Sequence, residues 1–494
     1  VCSSDLASSL LVLCILPTLI TCFKSSFNSY EFFGASFVFK GMYMFSKQDS
    51  PSSRKDGVSR IKFNYTATVL EPNVDSLSEM DVAIFPEYVF ERVGYTDKNN
   101  KRVLCCDSEA VKAGKCSNQG HVLVPKELAD QCAVKTASLK DKTNKGSLSF
   151  DVQKTGIYFL VAISCDNRAG TVRFEGDYEA TNPYGELPAP MYGSLPFTCL
   201  LFVGYIILLT WWLYMCVKYA KEIMSVHIIV LVVLGCFVVD MGVKLIYLTV
   251  YNHVGHPVFL LSILSIVIDC STRTLTRILT LFVCMGLGVT KTNLDDTLIT
   301  CEFIIFGVAY YIIAFGDSYL NIYPTTDKTI ELIRFILTSS IDAIVYFWIF
   351  VSLMNTMETL AARKQEMKLT IYKKLRTLFV VSILLATITL VGFSYVVLND
   401  LSAQIWKYQW FINDGIWGLF YFTLFVVIMI MWMPSENTSA YAYHIQLSTS
   451  EQANEESLPE DSLVDMDDSG DHVVVQGVSS ELKPMQLVEL VQKE

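Results

Sequence analysis

The sequence holds no GxGxxG or GxxxxGK[ST] loop and no HExxH or GxSxG signature. The usual devices for cradling phosphates, holding a catalytic zinc or raising a nucleophilic serine are therefore missing. Histidine is scarce, with six in the chain. The one close pair, His253 and His256, stands in a short loop without further ligands, too little for a metal centre. No tryptophan precedes Trp211. No internal repeat is visible, which weakens an inverted-repeat transporter. Basic excess is absent too: 38 Lys and Arg face 49 Asp and Glu, for a net charge of −11, so no nucleic-acid partner is indicated. An enzyme, a cofactor and a metal are all unexpected.

What is present is apolar. Hydrophobic residues make up 52% of the chain and mean hydropathy is +0.40, too high for an ordinary soluble protein of this size. The acidity is local. Residues 434–494 carry thirteen acids and two lysines and account for the whole net charge, so this stretch reads as a disordered, solvated tail. At the other end, an apolar run from Leu6 to Cys22 is short for a span and suits a signal-peptide core. Residues 1–22 are expected to be a signal peptide, incomplete at its start because no Met precedes Val1. The segment after it would then enter the secretory lumen. Cys105, Cys106, Cys116, Cys132 and Cys165 are disulfide candidates in that oxidising setting, and five being odd, at least one thiol stays unpaired. Asn64-Tyr65-Thr66 is a glycosylation sequon on the same side. The sequon at Asn437 should stay bare in a cytosolic tail.

Residues 23–190 read as a β-rich domain. Leu148–Val152, Gly156–Cys165 and Thr171–Thr181 are rich in β-branched and aromatic residues and separated by turn signals, which favours an antiparallel sandwich. Residues 191–433 change grammar. Seven apolar stretches of spanning length follow one another: 196–217, 226–251, 258–289, 298–316, 330–355, 371–398 and 409–433. With a lumenal N-terminus, Lys218, Lys221, Lys291, Arg363, Lys364, Lys368, Lys373, Lys374 and Arg376 fall in cytosolic loops, as the positive-inside rule asks.

Six charges in the second, third and fifth of these stretches draw attention by their depth: Asp240, Lys244, Asp269, Arg273, Arg277 and Asp342. Counted from the lumenal ends, Asp269 and Asp342 lie about 18 Å in and Asp240 about 16 Å in. Each charge held against lipid costs at least about 2.5–3.5 kcal/mol, so all six should face the bundle interior. Asp269 can reach Arg273 within its own helix, and Lys244 follows Asp240 in the favourable acid-first order. Arg277 is left to bridge between helices. Three uses are open: an ion-pair lattice fixing helix register, a cavity for an anionic lipid headgroup or other amphiphile, and an ion-conducting or proton-relay path. Thr272, Thr274 and Thr276 are expected to bond back to their own backbone.

Four motifs together resemble the GOST or lung seven-transmembrane family: LCCDSEAVKAGKC (104–116), NPYGELPAPMYG (182–193), TRTLTRILTLFVCMGLGV (272–289) and MWMPSEN (431–437). The RTLTR and WMPSEN segments are similar to those of its transmembrane protein 87 branch. Arg273 and Arg277 match the family's basic pair on the third helix. The resemblance implies a seven-transmembrane-helix bundle with an N-terminal lumenal, disulfide-linked GOLD-like β-sandwich, in Golgi or endosomal membranes, serving protein trafficking. It also implies a bundle like that of the Wnt-carrier protein, open laterally to lipid. The expected partners are a membrane lipid bound in the bundle, a lumenal cargo protein, and cytosolic sorting machinery met by the acidic tail. A cation channel using the three aspartates is the alternative. A G-protein-coupled receptor ranks last, because GVTK stands where a DRY-like motif would end the third helix.

Overall fold

The computed structural model describes residues 24–32, 36–51, 57–70, 79–96, 102–117, 119–139, 143–165, 172–223, 225–286, 297–323, 328–398 and 405–434. The expected signal segment, the acidic tail from residue 435 and the Asn437 sequon lie outside them.

Among the described residues, ten strands precede the helical bundle: β1 (Lys24–Phe32), β2 (Ser36–Met44), β3 (Arg60–Val69), β4 (Glu79–Pro86), β5 (Tyr95–Thr96), β6 (Arg102–Val103), β7 (Ala133–Ser138), β8 (Thr143–Asp151), β9 (Gly156–Ser164) and β10 (Val172–Thr181). Eight of them form two antiparallel sheets, ordered β1-β10-β3-β8 and β2-β9-β4-β7. Alternation sets the inner face. In β3, Ile61, Phe63, Tyr65, Ala67 and Val69 turn inward, while Asn64 is exposed in mid-strand between Asp177 and Ser147. Phe63 and Phe174 of the first sheet pack with Met80, Val82 and Leu160 of the second to make the sandwich core.

Strand β4 reads as a near-continuous apolar run and is buried on both faces. Its second face, with Ala83 and Phe85, meets Val89, Val93, Leu104 and Leu128 in a separate cluster. The segment supplying these residues is an outer layer over the second sheet. Two disulfides hold it, Cys105–Cys165 to the end of β9 and Cys106–Cys116 around the short helix Ser108–Lys112. Cys132 is the unpaired thiol, and burial pushes it up from its ordinary pKa. Asp107 caps the short helix, accepting from Ala110 N at 2.8 Å. That bond and the Tyr95 hydroxyl hold its carboxyl below the usual range.

Residues 182–193, the second motif, join sandwich to bundle. Asn182 Oδ1 accepts from Phe45 N at 2.9 Å on the sandwich side. On the bundle side Leu187 N donates to Asn252 Oδ1 at 3.1 Å and Glu186 N to Asn252 O at 3.0 Å. Gly185 has a φ of +145° and presses on Asn252, a place that only glycine fits. Tyr43 and Phe45 each lie 5.0 Å from the Trp406 ring, sealing the joint with aromatic contacts.

The bundle comprises α1 (Ser194–Lys218), α2 (Ser225–Val254), α3 (Phe259–Cys284), α4 (Thr297–Ile322), α5 (Lys328–Ala362) and α6 (Glu366–Leu398), then a π-turn at Phe411–Gly415 leading into α7 (Ile416–Met431). Among the described residues, α1 to α5 are each long and apolar enough to cross a membrane by length and composition, and α7 is a shorter apolar helix. Side chains such as Leu200, Val217, Leu260, Ile305 and Phe347 point outward and stay exposed. In water that surface would be an aggregation hazard; in lipid it is the solvent-facing side. Helix α4 runs to Ile322 where the composition suggests an end at Gly316. The reason is Asp317: its carboxylate meets Arg334 of α5 at 3.5 Å, so the polar residue does not terminate the span.

Candidate functional site

Polar side chains gather inside the bundle, each placed by a helix that has no other way to shelter it. Thr274 and Thr276 return their hydroxyls to Cys270 O and Thr272 O, both at 2.7 Å, so they need no partner on other helices. Asp269 and Arg273, one turn apart on α3, form a two-pronged pair at 2.7 and 3.0 Å.

One turn further, Arg277 leaves its helix. Its Nη2 lies 3.5 Å from Asp342 Oδ1 of α5 and 3.3 Å from the Tyr421 hydroxyl of α7. Its guanidinium also sits over the rings of Tyr346 at 5.0 Å and Tyr421 at 5.5 Å. Tyr310 of α4 donates to the same Asp342 oxygen at 3.4 Å. One arginine thereby ties four helices together.

Lys244 does not pair with Asp240 of its own helix. It reaches Asp414 of the π-turn at 3.8 Å, and Ser194 at the start of α1 donates to that carboxylate at 3.0 Å. The acid-first spacing of four is worth only about 0.2–0.5 kcal/mol, too little to hold Lys244 from a carboxylate on another element. Asp240 is 4% exposed and forms no ion pair within 4.0 Å among the described residues.

Two of these cations stay open. Lys244 and Arg273 keep 34% and 52% of their side-chain surface accessible. Their partners Asp414 and Asp269 retain 43% and 28%. Accessible cations and carboxylates thus stand side by side on α2, α3 and the π-turn. No group of three or more His, Cys, Asp or Glu suited to a metal is found among the described residues.

Sequence reasoning passed over Asp414, Asp317, Arg334 and the three tyrosines. A signal for the first existed: Asp414 is an acid within an apolar stretch, the criterion that selected Asp240 and Asp342. The π-turn that presents it leaves no mark in the amino-acid pattern, although such turns are frequent at functional sites.

Sandwich, disulfide layer and polar-lined helical bundle define a multi-pass helical membrane protein with a β-sheet N-terminal domain. The family model for the GOST seven transmembrane domain matches residues 193–439, half of the chain, and the chain belongs to that family. Transmembrane protein 87B of Homo sapiens is 25% identical over 309 residues, 62% of this chain and 54% of the relative. Transmembrane protein 87A of Xenopus tropicalis is 27% identical over 387 residues, covering 75% and 67%. Membrane protein PTM1 of Saccharomyces cerevisiae (strain YJM789) is 25% identical over 424 residues, covering 80% and 78%. The match spans about half the length of the human relative.

Proposed function

We propose that this chain is a non-enzymatic factor of protein trafficking in Golgi or endosomal membranes, acting as a lipid-binding or cargo chaperone. The observation that carries the lipid part is the accessible pair Lys244 and Arg273, each beside a carboxylate on apolar, membrane-length helices. Accessible cations at that depth suit the charged headgroup of an amphiphile whose chains remain in the surrounding hydrocarbon. The trafficking part rests on the family resemblance. The sandwich would meet lumenal cargo and the acidic tail would meet cytosolic sorting machinery.

Native mass spectrometry of protein purified in mild detergent tests lipid binding at these cations. A phospholipid adduct is expected on the wild type and at least about tenfold less of it when Lys244 and Arg273 are both replaced by Gln, since each charge-assisted contact contributes roughly 1.5–3 kcal/mol. Equal adduct on both proteins would reject the proposal. Imaging of the tagged chain tests the compartment.

A second reading, cation passage, draws on Asp240, the buried acid that no ion pair within 4.0 Å neutralises among the described residues. Flux in liposomes that is lost on Asp269→Asn or Asp342→Asn would favour it.

Orientation is tested at Asn64. A lumenal sandwich predicts that the chain shortens on glycosidase treatment and that Asn64→Gln abolishes the shift. Sugar found on Asn437 instead would reverse the topology.

A further inference from the structure

Besides the Cys105–Cys165 disulfide and its apolar contacts, the outer layer of the sandwich meets two carboxylates of β4 through one histidine. His121 Nδ1 lies 3.3 Å from Asp81 Oδ1, and its Nε2 lies 3.3 Å from Glu79 Oε2. Glu79 and Asp81 are two apart on β4 and so share one face. The Asp81 side chain is 2% exposed and also accepts from Val122 N at 2.8 Å and from the Thr136 hydroxyl of β7 at 2.7 Å. The ribbon carrying His121 is itself bonded to the disulfide segment, through Cys106 N to His121 O at 2.8 Å and Leu123 N to Leu104 O at 2.9 Å. What holds His121 therefore tightens this ribbon on β4, beside the disulfide that ties the layer to β9.

We infer that His121 is a proton-operated latch, which tightens its ribbon on β4 when its ring carries both protons and loosens it when one is lost, the Cys105–Cys165 disulfide staying closed in both states. A neutral imidazole has one N–H and one lone pair, whereas ionised carboxylates only accept. With an acceptor facing each ring nitrogen, the neutral ring must turn a lone pair toward a carboxylate oxygen. Only the imidazolium satisfies both. The ribbon is therefore held more tightly on the acidic side of neutrality than on the basic side, the direction of imidazole protonation.

Other charged groups on the packed elements are engaged elsewhere. Lys135 of β7 donates to Ser147 O at 3.0 Å, and Asp107 is occupied by Ala110 N and the Tyr95 hydroxyl. Lys115 lies over the Tyr95 ring at 4.5 Å. Among the described residues, Glu79 and Asp81 are the acids within ion-pair distance of His121.

Hydrogen–deuterium exchange of the full chain in detergent tests the latch, with rates corrected for intrinsic pH dependence. Protection of the Val122 and Leu123 amides is expected to be about three- to fivefold higher near pH 5.5 than near pH 7.5, the range of a partly exposed ion pair. In His121→Gln the protection should be the same at both values. In Glu79→Gln the dependence should shrink, because an amide can face either state of the ring. Should His121→Gln fail to fold, Glu79→Gln, which alters a half-exposed side chain, carries the comparison alone. A wild-type ratio near one, or an undiminished ratio in the Gln variants, would overturn the inference.

Discussion

Replacing Arg277 with alanine is expected to destabilise the bundle by about 2–3 kcal/mol, less than the loss of one partner from a fully buried ion pair because the Asp342 side chain is 35% exposed. The guanidinium contacts Asp342, Tyr346 and Tyr421, and its side chain is 15% exposed. Its loss leaves Asp342 with the Tyr310 hydroxyl as remaining partner at 3.4 Å. It also separates α3 from α5 and α7 at one level. The measurement is thermal unfolding of the purified protein, and a fall on the order of 10 °C is expected.

The decisive comparison is with variants that remove the charges together. Arg277→Met keeps the volume but strands Asp342, so it too should be strongly destabilising. Adding Asp342→Leu removes the stranded charge and should recover most of the loss, because buried pairs contribute little beyond a well-packed apolar replacement. Strictly additive effects would show that the two residues are uncoupled. In that event Arg277 would act through its tyrosine rings alone.

The parts of this molecule that composition controls were legible before any coordinates. A strand such as β10 announces its buried face by alternation, with Val172, Phe174, Tyr178 and Ala180 turned inward, and the helices announce themselves by length and hydropathy because a membrane tolerates little else. Asp269 and Arg273 were legible as neighbours because helical spacing alone brings them together. Contacts between distant elements were not. Nothing in the spacing of five cysteines selects Cys105–Cys165 over its competitors. Lys244 illustrates the limit best. Local spacing directs it to Asp240, whereas the fold brings up Asp414, 170 residues away along the chain, on a π-turn with no sequence signature. The second motif was recognisable as a string of residues, but its task of clasping Asn252 became visible only when the sandwich and α2 stood together.

Gly193 should be among the least replaceable residues in the chain. It ends the joining segment and immediately precedes α1, and the Trp410 indole lies on the side where a β-carbon would stand. A methyl group there falls within the ring, so alanine must displace a tryptophan that also packs against Phe197 at 5.7 Å. Overpacking of this kind costs typically about 1–3 kcal/mol, and valine should exceed alanine. The effect should also spread. Trp410 directly precedes the π-turn whose Asp414 meets both Ser194 and Lys244, so pushing the indole aside moves the carboxylate away from Lys244. Gly193→Ala is therefore expected to lower thermal stability and, in the same protein, to reduce the lipid adduct seen by native mass spectrometry. Trimming the indole should undo both losses: Gly193→Ala combined with Trp410→Leu is expected to be more stable than the sum of the single changes by about 0.5–3 kcal/mol, the coupling typical of side chains in direct contact. Gly193 has ordinary helical dihedrals, so a double variant without such recovery would show that the room left for Trp410 is not what stability depends on.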